Sequence, residues 1–92
     1  MKPTVTQIIN AVLDVYGLNA SALLGSSRTA LLSDARMTAT GLLHEELGLK
    51  ATAIARIFNR SRPTVLYYLK VYRWRDLPLE DCRKLLGNDE AR

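Results

Sequence analysis

Arg60, Ser61, Arg62 and Thr64 put two guanidinium groups and two hydroxyls into five consecutive residues. Donors at that density suit phosphate oxygens and the acceptor edge of guanine. Lys50 and Thr52 lie just before this cluster, and Tyr67 and Lys70 just after it. From Leu47 to Arg75 the basic residues are Lys50, Arg56, Arg60, Arg62, Lys70, Arg73 and Arg75, with no Asp or Glu among them. Charge is therefore unevenly placed. Residues 1–46 carry three basic and four acidic side chains, a net −1, whereas residues 47–92 carry ten and five, a net +5. A surface of one sign concentrates polyanions, so nucleic acid or an anionic membrane surface is the natural partner, with a merely solvated basic face as the plainer alternative.

Other chemistries find little support. His44 stands beside Glu45 and Glu46, but no second metal ligand or nucleophile accompanies it at a usable spacing, and it reads as a surface residue. The single cysteine, Cys82, has no CxxC partner and reads as packing rather than redox chemistry. No glycine-rich phosphate loop, paired-carboxylate motif or Ser-His-Asp set is present, so no enzyme activity, metal, cofactor or small-molecule substrate is expected. No apolar run approaches the roughly 18 residues of a membrane span, and the first residues lack the layout of a signal peptide. A cytoplasmic protein is expected. The 92 residues, 48% hydrophobic, suffice for one domain with one modest core.

Helices must position the cluster. Val5, Ile8, Ile9, Val12, Leu13 and Tyr16 recur at three-and-four spacing, and Thr4 with Gln7 has capping-box spacing, which predicts a helix over Val5 to Tyr16 stopped at Gly17. Asn19 caps a brief helix ending at Gly25. A polar connector, Gly25 to Thr29, leads into the longest helix, whose Leu31, Leu32, Ala35, Ala39, Leu42, Leu43 and Leu47 keep helical period up to Gly48. Ala35, Ala39 and Gly41 allow neighbours to approach closely. Ala51 to Phe58 forms a short helix, and Ser61 caps another with Pro63 in its first turn and Val65, Leu66, Tyr68, Leu69 and Tyr72 on its apolar side. Pro78 marks the start of a last helix, over about residues 77–86. Nothing alternates like a strand, and the class is all-α, a compact bundle of five to six helices forming a single domain over residues 1–92.

Two short helices joined by a three-residue turn make a helix-turn-helix, at about residues 51–72. Its geometry asks for a small residue where the helices cross, a left-handed residue in the turn, and an apolar residue where the second helix returns to the core. Ala55, Asn59 and Val65 meet those demands. The start of the second helix then faces a major groove. Arg62 is the expected base contact, and Thr64 meets a thymine methyl or a phosphate. Arg60, Ser61, Lys50 and Thr52 are placed for phosphates. Tyr67 points outward, while Tyr68, Tyr72 and Trp74 are read as core packing rather than base stacking.

The order of these pieces resembles the C-terminal DNA-binding domain of the bacterial chromosomal replication initiator DnaA, a Trp-repressor-like helical fold. The resemblance runs over roughly Val5 to Tyr72, through VTQIINAVLDVYGLNASALLG, the long helix with HEELGL, and IARIFNRSRPTVLYYL. Leu23 to Gly25, Arg36, Thr64, Val65 and Leu66 fall where that family has like residues. Departures fall on the reading residues. The family's run before Thr-Val-Leu contains an Asp and a His that are absent here, where Asn59, Arg60, Ser61, Arg62 and Pro63 stand, one residue shorter. The connector offers Arg28, and Asp34 lies about where the family places a minor-groove arginine. The resemblance implies the fold and duplex-DNA binding, does not carry over the initiator's own origin sequence, and makes Arg36 a candidate phosphate contact.

The expected function is double-stranded DNA binding through the helix-turn-helix. The chain would act as a regulator of replication or transcription, or as the DNA-binding module of a phage or mobile-element protein. The alternative is a protein-interaction module, with a degenerate helix-turn-helix, that binds an acidic protein. One module this size buries little on DNA, roughly 600 to 1,000 Å², so a homodimer or a larger protein partner would strengthen binding. Leu77, Leu79, Cys82, Leu85 and Leu86 on the last helix either form such a dimer contact or close the core. No membrane partner is expected, because no free apolar face lies opposite the basic residues.

Overall fold

Thr4 opens the first helix by exchanging hydrogen bonds with Gln7: its backbone N–H donates to Oε1 at 2.8 Å, and its Oγ1 accepts from the Gln7 N–H at 3.1 Å. The computed structural model describes residues 2–87. Helix α1 spans Val5–Tyr16, α2 spans Ala20–Leu24 behind its cap Asn19, and α3 spans Ala30–Leu47 behind Thr29. Then come α4, Ala51–Phe58, and α5, Arg62–Val71. A turn of 3₁₀ helix over Tyr72–Trp74 follows, and α6 covers Leu79–Leu85. Among the described residues there is no strand, and no helix is long and apolar enough to cross a membrane.

Helix α3 is the axis. Every residue from Ala35 to Leu43 is buried, so this segment is enclosed on all sides, by α1, α2, α4, α5, α6 and the 3₁₀ turn. Ile8, Val12, Leu23, Leu42, Leu43, Ile54, Phe58 and Val65 reach 0% exposure in one cluster. Each such side chain stabilises the fold by roughly 1.5 to 3 kcal/mol relative to leaving it in water. Met37, Tyr68 and Tyr72 form a second cluster where α5 and the 3₁₀ turn cross α3. That crossing is close enough to need Gly41, because a Cβ there would lie 2.5 Å from Cδ2 of Tyr72.

The last helix is shorter than expected. It begins at Leu79 with Pro78 as its cap, because residues 76–78 run on in irregular backbone before it. Cys82 is buried at 0% exposure, and Leu79 and Leu86 pack on the main cluster while Leu85 stays exposed, so α6 closes the core against α1 and α3. Burial pushes the Cys82 thiol up to about 11, which suits packing rather than reactivity.

Arg83 fastens α6 to the end of α3. Its guanidinium meets Glu46 at 3.0 Å and Glu80 at 2.5 Å, and also reaches Glu45, which accepts in addition from the Tyr72 hydroxyl. Burial pushes the Glu45 carboxyl upward, but the Tyr72 hydroxyl and the Arg83 charge outweigh it and hold the group below its ordinary 4.5. A carboxylate depressed in the folded state stabilises that state above its unfolded value, and loses this contribution as pH falls through the folded value. Urea unfolding at about pH 7 and about pH 3 should therefore show the native sequence losing more stability over the interval than Glu45→Gln. Equal losses would separate this carboxylate from the stability of the corner.

Candidate nucleic-acid interface

Asn59 turns the chain between α4 and α5 by taking the left-handed conformation, φ 52° and ψ 48°. Among non-glycine residues Asn tolerates that region best, which is why the turn forms without glycine. The Arg60 N–H donates to the Ala55 carbonyl at 3.0 Å and closes the end of α4. Ser61 then caps α5, its Oγ accepting from the Thr64 N–H at 3.4 Å and lying 2.9 Å from the Thr64 hydroxyl. Pro63 occupies the first turn, where its missing N–H costs nothing. Ala55 at 8% exposure and Val65 at 0% pack the two helices together, so the three residues that the sequence marked for this geometry all serve it.

Several candidate contacts share one face. Arg62, Pro63, Tyr67 and Lys70 are exposed along α5, with Ser61 at its start and Thr64 half-buried. Lys50, which caps α4 with backbone alone, and Thr52 in its first turn are exposed as well. Among the described residues no ion pair engages Lys50, Arg56, Arg62 or Lys70. Arg75, at the far end of the run, is bound to Asp34 at 2.8 Å. The leading turn of α5 therefore presents the exposed Arg62 guanidinium at the positive end of the helix dipole, an arrangement that attracts phosphate.

Arg36 is a correction. It was expected to touch phosphate, yet it is 1% exposed. Its Nε donates to Leu23 O at 2.7 Å, one Nη to Ser27 O at 2.7 Å, and the other to Ala22 O at 3.2 Å and Gly25 O at 3.0 Å. All but one of its N–H donors are thus spent on carbonyls at the end of α2 and in the connector. Burial and then the neighbouring Arg60 hold its pKa below the ordinary value. Arg60 is half-buried and similarly engaged, donating to Phe58 O at 3.2 Å and to Gly25 O. Arg36 thereby binds the connector to α3, and Arg60 binds it to the helix-turn-helix.

The aromatic residues divide. Tyr68 at 7% and Tyr72 at 1% exposure pack in the core as expected, and Tyr67 at 56% faces outward. Trp74 departs from the packing expectation at 85% exposure, because the chain tightens into the 3₁₀ turn after Val71 and carries the indole off the apolar side of α5. His44 is half-buried rather than on the surface, its Nδ1 lying 3.0 Å from the Leu49 carbonyl just past the end of α3. Among the described residues no group of His, Cys, Asp and Glu could hold a metal ion.

A groove at the interface carries no local sequence signal. Arg28 and Ser33, on the connector and the first turn of α3, line a groove of about 150 Å³ together with Arg36, Arg60, Thr64 and Tyr68. Arg28 belongs to the connector, and its approach to Arg60 and Thr64, over thirty residues on, depends on how α3 and α5 pack.

A family model described as the bacterial dnaA protein helix-turn-helix matches residues 5–71, from the start of α1 to the end of α5. No curated protein matches the chain.

Proposed function

The chain belongs to the family of the bacterial DnaA helix-turn-helix, and from that premise we propose that it binds double-stranded DNA, with the leading turn of α5 in the major groove. The observation that carries this reading is the face of Ser61, Arg62, Tyr67 and Lys70, which is exposed, basic and free of carboxylates. An α-helix fits the major groove, and an exposed guanidinium at its first turn bonds both acceptors of guanine. Arg62 takes that role. Thr64 meets a thymine methyl or a phosphate, while Lys50, Thr52, Arg60 and Ser61 hold the backbone, and Tyr67 and Lys70 extend the contact along α5. Such a chain serves as a regulator of replication or transcription, or as the DNA-binding module of a phage or mobile-element protein.

Base contacts and phosphate contacts fail in different ways, and that difference tests the assignment. Arg62→Ala is expected to relax preference at one base pair by about 1 to 3 kcal/mol in a selected site, and to weaken binding to random duplex less. Lys50→Ala should weaken all duplexes alike and lower the slope of log affinity against log salt by about one. Equal losses from both variants on selected and random DNA would remove the base-reading role from Arg62.

A further inference from the structure

We propose that the groove between the connector and α5, lined by Arg28, Ser33, Arg60 and Thr64 above Arg36, seats a single phosphate group, supplied by the backbone of a bound duplex. The proposal rests on the DNA-binding reading for its ligand, but on the groove itself for its chemistry. Three guanidiniums and the hydroxyl-bearing side chains of Ser33, Thr64 and Tyr68 line the groove, and no carboxylate does. Asp34, next in sequence to Ser33, is held by Arg75 instead. Positive charge is therefore concentrated in a concave site with nothing of opposite sign to balance it.

The charge of the groove selects an anion, and its size a small one. Sites for drug-sized molecules run from about 300 Å³ upward. At about 150 Å³ this groove lies well below that range and holds a phosphate group with a few waters. Its floor is a buried cation. Arg36 at 1% exposure meets only carbonyls, and burial and the like charges of Arg60 and Arg28 disfavour its charged form. An anion above it relieves both penalties. The walls are already in place, because Gly25 O accepts from both Arg36 and Arg60, which fixes the connector against the turn before α5. Arg28 is exposed, which leaves it free to close over the anion. Thr64 belongs both to this groove and to the leading turn of α5, so a phosphate flanking the major groove lies within reach.

The test has two arms. In the first, backbone and arginine Nε–H resonances are followed by NMR while inorganic phosphate is added, with chloride at matched ionic strength as control. Saturable shifts confined to Arg28, Ser33, Arg60 and Thr64 are expected, weakened about tenfold in Arg28→Ala and less in Ser33→Ala. Arg28 is exposed, so that variant should keep the native helical signal. In the second arm, the anisotropy of a labelled random duplex is titrated at several salt concentrations. Arg28→Ala is expected to lower the salt slope by about one, as the loss of one phosphate contact should. Shifts spread evenly over all basic residues, with an unchanged slope and intact duplex binding, would overturn the seat and leave the DNA reading standing. Confined phosphate shifts without any duplex binding would overturn the duplex as the source of the phosphate, and the DNA reading with it.

Discussion

Arg36→Ala is expected to destabilise the fold by about 3 kcal/mol, and to lower the thermal midpoint by roughly 12 to 24 °C for a domain of this size. Carbonyls of Ala22, Leu23, Gly25 and Ser27 all lose a donor at once. Each buried acceptor left unpaired costs about 1 to 3 kcal/mol. Three effects reduce the sum. The Gly25 carbonyl keeps its Arg60 donor, and the Ala22 carbonyl keeps the Gly25 N–H. Removing a buried cation recovers its desolvation cost. Ser27 is exposed, so its carbonyl regains water. Even so, a large side chain leaves the interior, and the end of α2 loses what closes it. Arg36→Lys discriminates the cause, since an ammonium keeps the charge but cannot span the same carbonyls. It should lose nearly as much midpoint as alanine. Full stability in the lysine variant would show that charge, and not the bracing of the connector, is what the position supplies.

Gly41→Val should cost about 3 kcal/mol, through overpacking rather than through backbone conformation. A Cβ at this position would meet three ring atoms of Tyr72, at 2.5, 2.7 and 3.0 Å. The ring has little room to withdraw. Tyr72 is 1% exposed, its hydroxyl donates to Glu45, and Arg73 donates to that hydroxyl at 3.2 Å. Glycine inside a helix is itself unfavourable by about 1 kcal/mol relative to alanine, so any side chain recovers a part of that. The clash is the larger effect for valine, and a smaller net loss is expected for Gly41→Ala. Chemical denaturation of both variants checks the order. A valine variant as stable as the native protein would mean that α3 and the 3₁₀ turn are further apart than the structure places them.

Most of the fold was legible because its helices carry local signals. The spacing of Val5 to Tyr16 and the Thr4–Gln7 box marked α1 to the residue, and Ser61 with Pro63 marked the start of α5. Ala55, Asn59 and Val65 sufficed for the helix-turn-helix, since each answers a demand made within that short segment. What was not legible depends on residues distant in sequence. The enclosed α3 hides its face, because buried residues surround it and no polar stripe marks a solvent side. The resemblance points Arg36 at a phosphate, whereas its actual partners are backbone carbonyls that sequence does not display. The 3₁₀ turn at Tyr72 continued a helical pattern, and only the packing of Tyr72 against Gly41 shows where α5 ends and why Trp74 swings out. The groove joins Arg28 to Thr64 across the fold, which no local pattern announces.

A helix-turn-helix also serves as a packing solution, so the basic face itself has to be tested. The direct measurement is fluorescence anisotropy of a labelled random duplex titrated with the protein at about 50 and about 200 mM salt, with heparin as competitor. Binding that weakens by roughly a hundredfold across that interval is the result predicted, because each phosphate neutralised releases counterions. No binding at the lower salt would contradict DNA docking, and would turn the face of Arg62, Tyr67 and Lys70 toward an acidic protein instead.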